Sequence, residues 1–173
     1  MTLRNDILKE HSKPHAEYLA RKIGPDQESF DELIELFLAN EYRVTQRAAW
    51  VFRLCVDAHP WLLDKHLKSI IENLQKTVHD AVKRNTVRIL QFVNIPEELM
   101  GLTADICFRF LNSGSEPVAV KVFSMTVLFN IVKEYPELKD ELKISIEDQL
   151  PFASAGFKSR AGKILNALEK LKR

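Results

Sequence analysis

The sequence predicts an all-α protein made of about four stacked helical hairpins behind an N-terminal helical cap. Three observations predict it. A nine-residue pattern recurs as "VTQRAAWVF" (44–52), "VKRNTVRIL" (82–90), "VKVFSMTVL" (120–128) and "FKSRAGKIL" (157–165), at steps of 38, 38 and 37 residues. Within each copy the apolar residues keep helical spacing, about 100° per residue. Glycine is scarce, at 5 in 173 residues, where a β-rich domain would need more for its turns.

The elements follow in order. "SKPHAEYLARKIG" (12–24) predicts a helix beginning near Pro14 and closed by Gly24, and residues 1–28 together predict a cap over the apolar end of the first repeat. Four repeats then run at about 29–59, 60–95, 96–135 and 136–173 of a single domain, 1–173. Each second helix carries the motif. Numbered from its first residue, position 0 is Val44, Val82, Val120 and Phe157, and position 4 is the small Ala48, Thr86, Ser124 and Ala161. Position 8 is Phe52, Leu90, Leu128 and Leu165, and position 11 is Cys55, Val93, Ile131 and Leu168. These positions share one face, and the small residue lets a neighbouring helix approach. The first helices place Leu33 and Phe37, Ile70 and Leu74, Cys107 and Leu111, and Ile146 and Leu150 at matching spacing. "HPWLLD", "IPEELM" and "YPELKD" punctuate the units. Proline suits a first helical turn, where its missing N–H is not needed, and the acids after it suit the positive end of the helix dipole. The polar "KLKR" (170–173) ends the last repeat in water.

A period of about 38 residues points to stacked helical repeats, since one hairpin cannot bury its apolar flank alone. The motif V-[K/R]-x-x-small-x-x-x-large, as in "VKVFSMTVL", resembles the HEAT-repeat family, with armadillo-like repeats as near relatives, over roughly Ser29 to Lys172. The resemblance implies a right-handed α-α superhelix whose second helices line a concave groove. The family's turn Asp before the motif is not kept. Asn40, Asp80 and Glu116 stand there at differing offsets, while Lys83, Lys121 and Lys158 keep the basic half.

On each second helix, positions 2, 6, 9 and 13 fall opposite the core face. Those residues are Gln46, Trp50, Arg53 and Asp57; Arg84, Arg88, Gln91 and Ile95; Val122, Thr126, Phe129 and Lys133; and Ser159, Lys163, Asn166 and Lys170. The stripe is basic, with Asp57 its single acid, and it holds two aromatics. Trp50, Arg53, Asp57, Arg84, Arg88, Phe129, Lys133 and Lys163 are therefore the expected binding groove. Trp50 and Arg88 share position 6 in adjacent units and are expected to stack as a cation–π pair. Trp50 packing on the N-terminal cap is the competing expectation.

The remaining chemistry is sparse. Net charge is +1, from 25 basic against 24 acidic residues, which excludes a globally basic nucleic-acid binder but not a local basic patch. Cys55 and Cys107 form no C-x-x-C and have no metal spacing, and are expected as buried thiols of a reducing compartment. His11 and His15 are four apart but lack an evident third ligand. "NSGSEPVAVK" (112–121) lacks the G-x-x-x-x-G-K-[ST] of a phosphate loop, and Ser113 and Ser115 are expected in a turn before the helix at Pro117. The N-terminal "MTLRNDILKEHSK" is too charged for a signal-peptide core, and no apolar run reaches membrane-spanning length. The expectation is a cytoplasmic, non-enzymatic scaffold with no catalytic residues, no metal and no cofactor. Its partner is expected to be an acidic protein or peptide, away from membranes, with the chain a monomer or weak homo-oligomer. The alternative is nucleic-acid binding, up to kinship with the alkylpurine DNA glycosylases built from HEAT-like repeats, an analogy of fold that transfers no residue.

Overall fold

A computed structural model describes residues 2–171 and, among them, contains ten α-helices and no strand. The last two residues of "KLKR", Lys172 and Arg173, lie outside the described residues. The chain forms two compact units, one running to Ile89 and the other starting at Leu90.

The first unit contains α1 (Leu3–Lys9), α2 (Lys13–Ile23), α3 (Gln27–Leu38), α4 (Tyr42–Ala58), a 3₁₀ turn (Pro60–His66), α5 (Leu67–Asn73) and α6 (Asp80–Leu90), whose last residue opens the second unit. Local chemistry sets the helix starts. The Ser12 hydroxyl accepts from the His15 N–H at 3.3 Å, and the Asp26 carboxylate from the Ser29 N–H at 2.8 Å. Each satisfies a donor that the first helical turn leaves unpaired. Gly24 closes α2 at φ 55, as its sequence position predicts. Asn40 turns the chain between α3 and α4 at φ 58, a conformation asparagine tolerates better than most residues.

Helix α1 is not foreseen by the periodicity. Its seven residues offer two buried apolar positions, Leu3 and Ile7, and it packs against α2, α3 and α4. The segment before α5 also differs from expectation. "PWLLDKH" forms a 3₁₀ turn, so the regular part of that first helix shrinks to seven residues.

The core follows the repeat. Val44, Ala48, Phe52 and Cys55 of α4 are buried, as are Leu33 and Phe37 of α3. The Phe37 and Phe52 rings stack with centroids 4.4 Å apart, and Phe30 stacks on Phe52 at 6.1 Å. Ile70 and Leu74 are buried in the α5 region, with Val82 and Thr86 of α6.

Two ion clusters fasten the edges of this unit. The Asp6 carboxylate, on a residue only 4% exposed, accepts from Lys9 at 2.8 Å and from Lys22 at 2.9 Å. The His15 ring N–H donates to the Asp6 carbonyl at 2.8 Å, so one nitrogen of the His11/His15 pair serves the helix junction. Asp31 of α3 accepts from Lys65 at 2.5 Å and from Gln27 at 2.9 Å, and pairs with His66 at 2.6 Å, which ties α3 to the 3₁₀ turn. These donors, Lys65 foremost, hold the Asp31 carboxyl well below the ordinary range.

Hydrogen bonds from Lys9 and then Lys22 lower the Asp6 pKa to about 2. A folded pKa below the unfolded value, about 3.9, stabilises the fold above that value, and the contribution is lost as pH falls through the folded pKa. The packing of α1 on α2 is therefore expected to loosen between about pH 4 and pH 2, read as loss of dispersed α1 amide resonances. Asp6→Asn removes that step.

The second unit contains α7 (Glu97–Asn112), α8 (Val118–Glu134), a short turn (Pro136–Leu138), α9 (Lys139–Glu147), a second short turn (Leu150–Phe152) and α10 (Ala155–Lys170). Pro96 and Pro117 stand immediately before α7 and α8. Ser113 and Ser115 bond to one another in the preceding turn, and Pro117 rather than a serine occupies the cap of α8. Val120, Ser124, Leu128 and Ile131 of α8 are buried, together with Phe157, Ala161 and Leu168 of α10 and Cys107, Leu111 and Ile146 of the first helices. Leu150 and Leu165 are only half-buried.

Lys121 of the motif is held by a glutamine rather than by a carboxylate. The Gln149 carboxamide accepts from Lys121 at 2.8 Å and donates to the carbonyls of Leu111 and Ser145. Lys158 is exposed. Both cysteines are free and buried, and burial pushes each thiol up to about 12.

Candidate functional site

In the first unit the outward stripe of α4 and α6 carries the expected residues Trp50, Arg53, Asp57, Arg84 and Arg88. The 3.6-residue repeat that turns Val44, Ala48 and Phe52 inward turns these away from the core. Three of them meet. Arg88 grips Asp57 with both ends of its guanidinium, Nη1 to Oδ1 at 3.0 Å and Nη2 to Oδ2 at 3.3 Å. Arg53, one turn earlier on α4, donates to the same Oδ2 at 3.3 Å. The planar fork of arginine suits this two-point contact with a carboxylate. Asp57 needs such partners, since it sits in the last turn of α4, where the helix dipole disfavours negative charge. All three side chains reach solvent, at 27% exposure for each arginine and 40% for Asp57. Arg84 is exposed and has no ion-pair partner among the described residues. One carboxylate is thus shared by two guanidinium groups, with Arg84 one turn before Arg88 on α6, and the patch keeps an excess of positive charge.

The expected stacking of Arg88 on Trp50 is not the arrangement found. Arg88 turns to Asp57, and the Trp50 ring meets His11 edge-on, with centroids 5.6 Å apart. Trp50 is half-buried beside Ile7, His15, Leu19 and Arg47, at the foot of α1 and α2. The competing expectation, packing on the N-terminal helices, is the one the structure supports. Arg47 adds to this junction by donating to the carbonyls of Ile7 and Leu8 at 3.4 and 2.8 Å, at the end of α1.

In the second unit the stripe carries Phe129, Lys133 and Lys163. The Lys133 ammonium lies 4.9 Å from the centroid of the Phe129 ring and donates to Asn130 Oδ1 at 2.9 Å. This cation–π contact joins two residues four apart on α8. Lys163 is exposed on α10, with no ion-pair partner among the described residues.

Sequence spacing missed Arg160, one position from the stripe, which donates to Gln91 Oε1 at 3.1 Å and to the Thr126 hydroxyl. It also placed Ile95 on the exposed stripe, whereas Ile95 is 7% exposed. Helix α6 ends at Leu90, so helical spacing no longer applies, and the following turn carries Ile95 into the core.

Among the described residues no three His, Cys, Asp or Glu side chains gather in a way that could hold a metal ion. No described helix is long and apolar enough to cross a membrane.

The HEAT repeat domain family matches residues 3–168. The chain belongs to the HEAT-repeat family. The match starts ahead of Ser29, where the four quoted repeats begin, so α1 and α2 of this HEAT-repeat protein fall inside the family region. No curated protein and no solved structure matches the chain. The HEAT-repeat architecture is that of a helical repeat scaffold or protein-interaction module.

Proposed function

We propose that this HEAT-repeat protein is a non-enzymatic binding module, and that the arginine patch on α4 and α6 takes an acidic peptide segment. The observation that carries the reading is the Asp57 carboxylate shared by Arg53 and Arg88 beside the unpaired Arg84. Asp57 orients two guanidinium groups in advance, which lowers the ordering cost of binding. Arg84 supplies a charge that has no ion-pair partner among the described residues. A peptide carboxylate meets Arg84 first and shares the outer N–H groups of the clamped pair. Because Asp57 is engaged on both oxygens, it serves here as a positioning group for cations.

Fluorescence anisotropy with a labelled deca-glutamate peptide tests this. Arg84→Glu is expected to weaken binding at least tenfold, about 1.4 kcal/mol, since it replaces an attraction with a repulsion. Added salt is expected to weaken the wild-type complex. Equal affinity of wild type and variant overturns the patch assignment. Salt-sensitive binding of duplex DNA without binding of the acidic peptide establishes the nucleic-acid reading instead.

A further inference from the structure

The first unit holds a second cationic feature, at the opposite end of α4 from the Asp57 clamp. A cleft of about 410 Å³, open to solvent, is lined by Arg4 of α1 and by Glu41, Tyr42, Arg43 and Arg47 around the start of α4. Three guanidinium groups and one carboxylate share it. Arg43 and Arg47 are four apart on α4, so they project from one face of the helix. Arg4 comes from a separate helix.

The three arginines are engaged to different degrees. Arg47 is half-buried and held in place, its Nη1 donating to the carbonyls of Leu8 and Ile7 at 2.8 and 3.4 Å. Arg4 gives its Nη2 to the Glu41 carboxylate at 2.6 Å, with the two side chains 46% and 55% exposed. Such an exposed pair is weak and exchanges for a better acceptor. Arg43 is exposed and has no ion pair or side-chain hydrogen bond among the described residues. A guanidinium carries five N–H donors, so most of the donors around the cleft stay open.

The charge balance defines the ligand. Three cations against the Glu41 carboxylate leave the cleft two positive charges in excess. A carboxylate supplies one negative charge. A phosphate monoester supplies close to two, with three strong acceptor oxygens for arginine to bind. A nucleic-acid backbone spreads single charges along its length and is matched by a track of cations. Here an acid stands among three clustered cations, which suits a point charge instead. Helix α4 adds to the effect without selecting the ligand. The Glu41 side chain makes no cap bond, so the positive end of the helix is not met by its own cap residue. The Tyr42 ring, 65% exposed on the same cleft, offers a surface to the organic group that bears the phosphate.

We infer that the cleft between Arg4, Arg43 and Arg47 binds a phosphorylated side chain of a partner protein. Arg47 is the fixed contact and Arg43 the free one, and Arg4 exchanges Glu41 for the phosphate. Arg43 and Asp57 are about 21 Å apart along α4, so this site is separate from the acidic-peptide patch at Arg84.

The test titrates the ¹⁵N-labelled full chain with acetyl-Ala-Val-phosphoserine-Val-Ala-amide. Saturable shifts are expected at the amides of Tyr42, Arg43 and Val44 and at the Nε–H groups of Arg43 and Arg47. Arg43→Ala removes an exposed side chain that holds nothing in place, so it is expected to fold as wild type and to bind at least about tenfold more weakly. Glu41→Gln removes the competing acid and is expected to tighten binding roughly threefold. This gain separates a ligand site from arginines that only brace α1 on α4. Absent shifts, unchanged affinity in Arg43→Ala, no gain in Glu41→Gln, or equal binding of the unphosphorylated peptide overturns the inference. Inorganic phosphate bound as tightly as the peptide assigns the cleft to the free anion and overturns the partner reading. A 5′-phosphorylated oligonucleotide bound more tightly than the peptide overturns it as well. The deca-glutamate experiment at Arg84 is read separately.

Discussion

Phe52→Ala is expected to cost about 3–5 kcal/mol, enough to remove a third or more of the stability of a typical domain. Phe52 is completely buried, stacked against Phe37 at 4.4 Å and Phe30 at 6.1 Å. Truncation leaves a ring-sized void between α3 and α4, and backbone on two packed helices cannot collapse far enough to fill it. Urea titration by circular dichroism reads the loss, and hydrogen exchange places it on α3 and α4. Phe152→Ala is the control. That ring is 93% exposed, so its removal is expected to change stability by less than about 0.5 kcal/mol. Equal effects of the two substitutions would mean that the aromatic cluster does not hold the first unit together.

Val120→Asp is the corresponding experiment in the second unit, and its cost is expected to depend on pH. Val120 begins the motif on α8 and is fully buried. An ionised carboxylate there loses its hydration without gaining a partner, a penalty of several kcal/mol. Burial raises the pKa of the introduced carboxyl above its unfolded value of about 4. The neutral form is the cheaper one to bury, so destabilisation grows as pH rises above about 4 and levels off beyond the raised folded pKa. Urea midpoints at pH 5 and pH 8 check the sign, and a larger loss at pH 8 is expected. A pH-independent loss, or none, would place Val120 against solvent rather than in the core.

The repeat was legible because it is a core pattern. Burial at positions 0 and 4 holds in all four copies, from Val44 and Ala48 to Phe157 and Ala161, since those side chains are fixed by the helical period alone. Residues whose surroundings depend on chain brought from elsewhere were harder to read. The partner of Trp50 is His11, thirty-nine residues away, in the short junction between α1 and α2. Arg88 and Asp57 lie 31 residues apart, and only the placement of α6 beside α4 shows that they meet. Ile95 was misplaced because α6 stops at Leu90, and the sequence around "QFVNIP" carries no glycine to announce the stop. The signal for Arg160 was weaker still, a cation one position off a stripe defined by strict spacing.

Each compact unit carries one of the two cysteines, Cys55 in the first and Cys107 in the second. With no solvent contact to speak of and with proton loss suppressed, neither sulfur reacts while its surroundings stay closed. Alkylation by iodoacetamide therefore acts as a clock for opening events. Peptide mass spectrometry tells the two clocks apart, so the rates at which the halves of this chain breathe can be timed individually without adding any label.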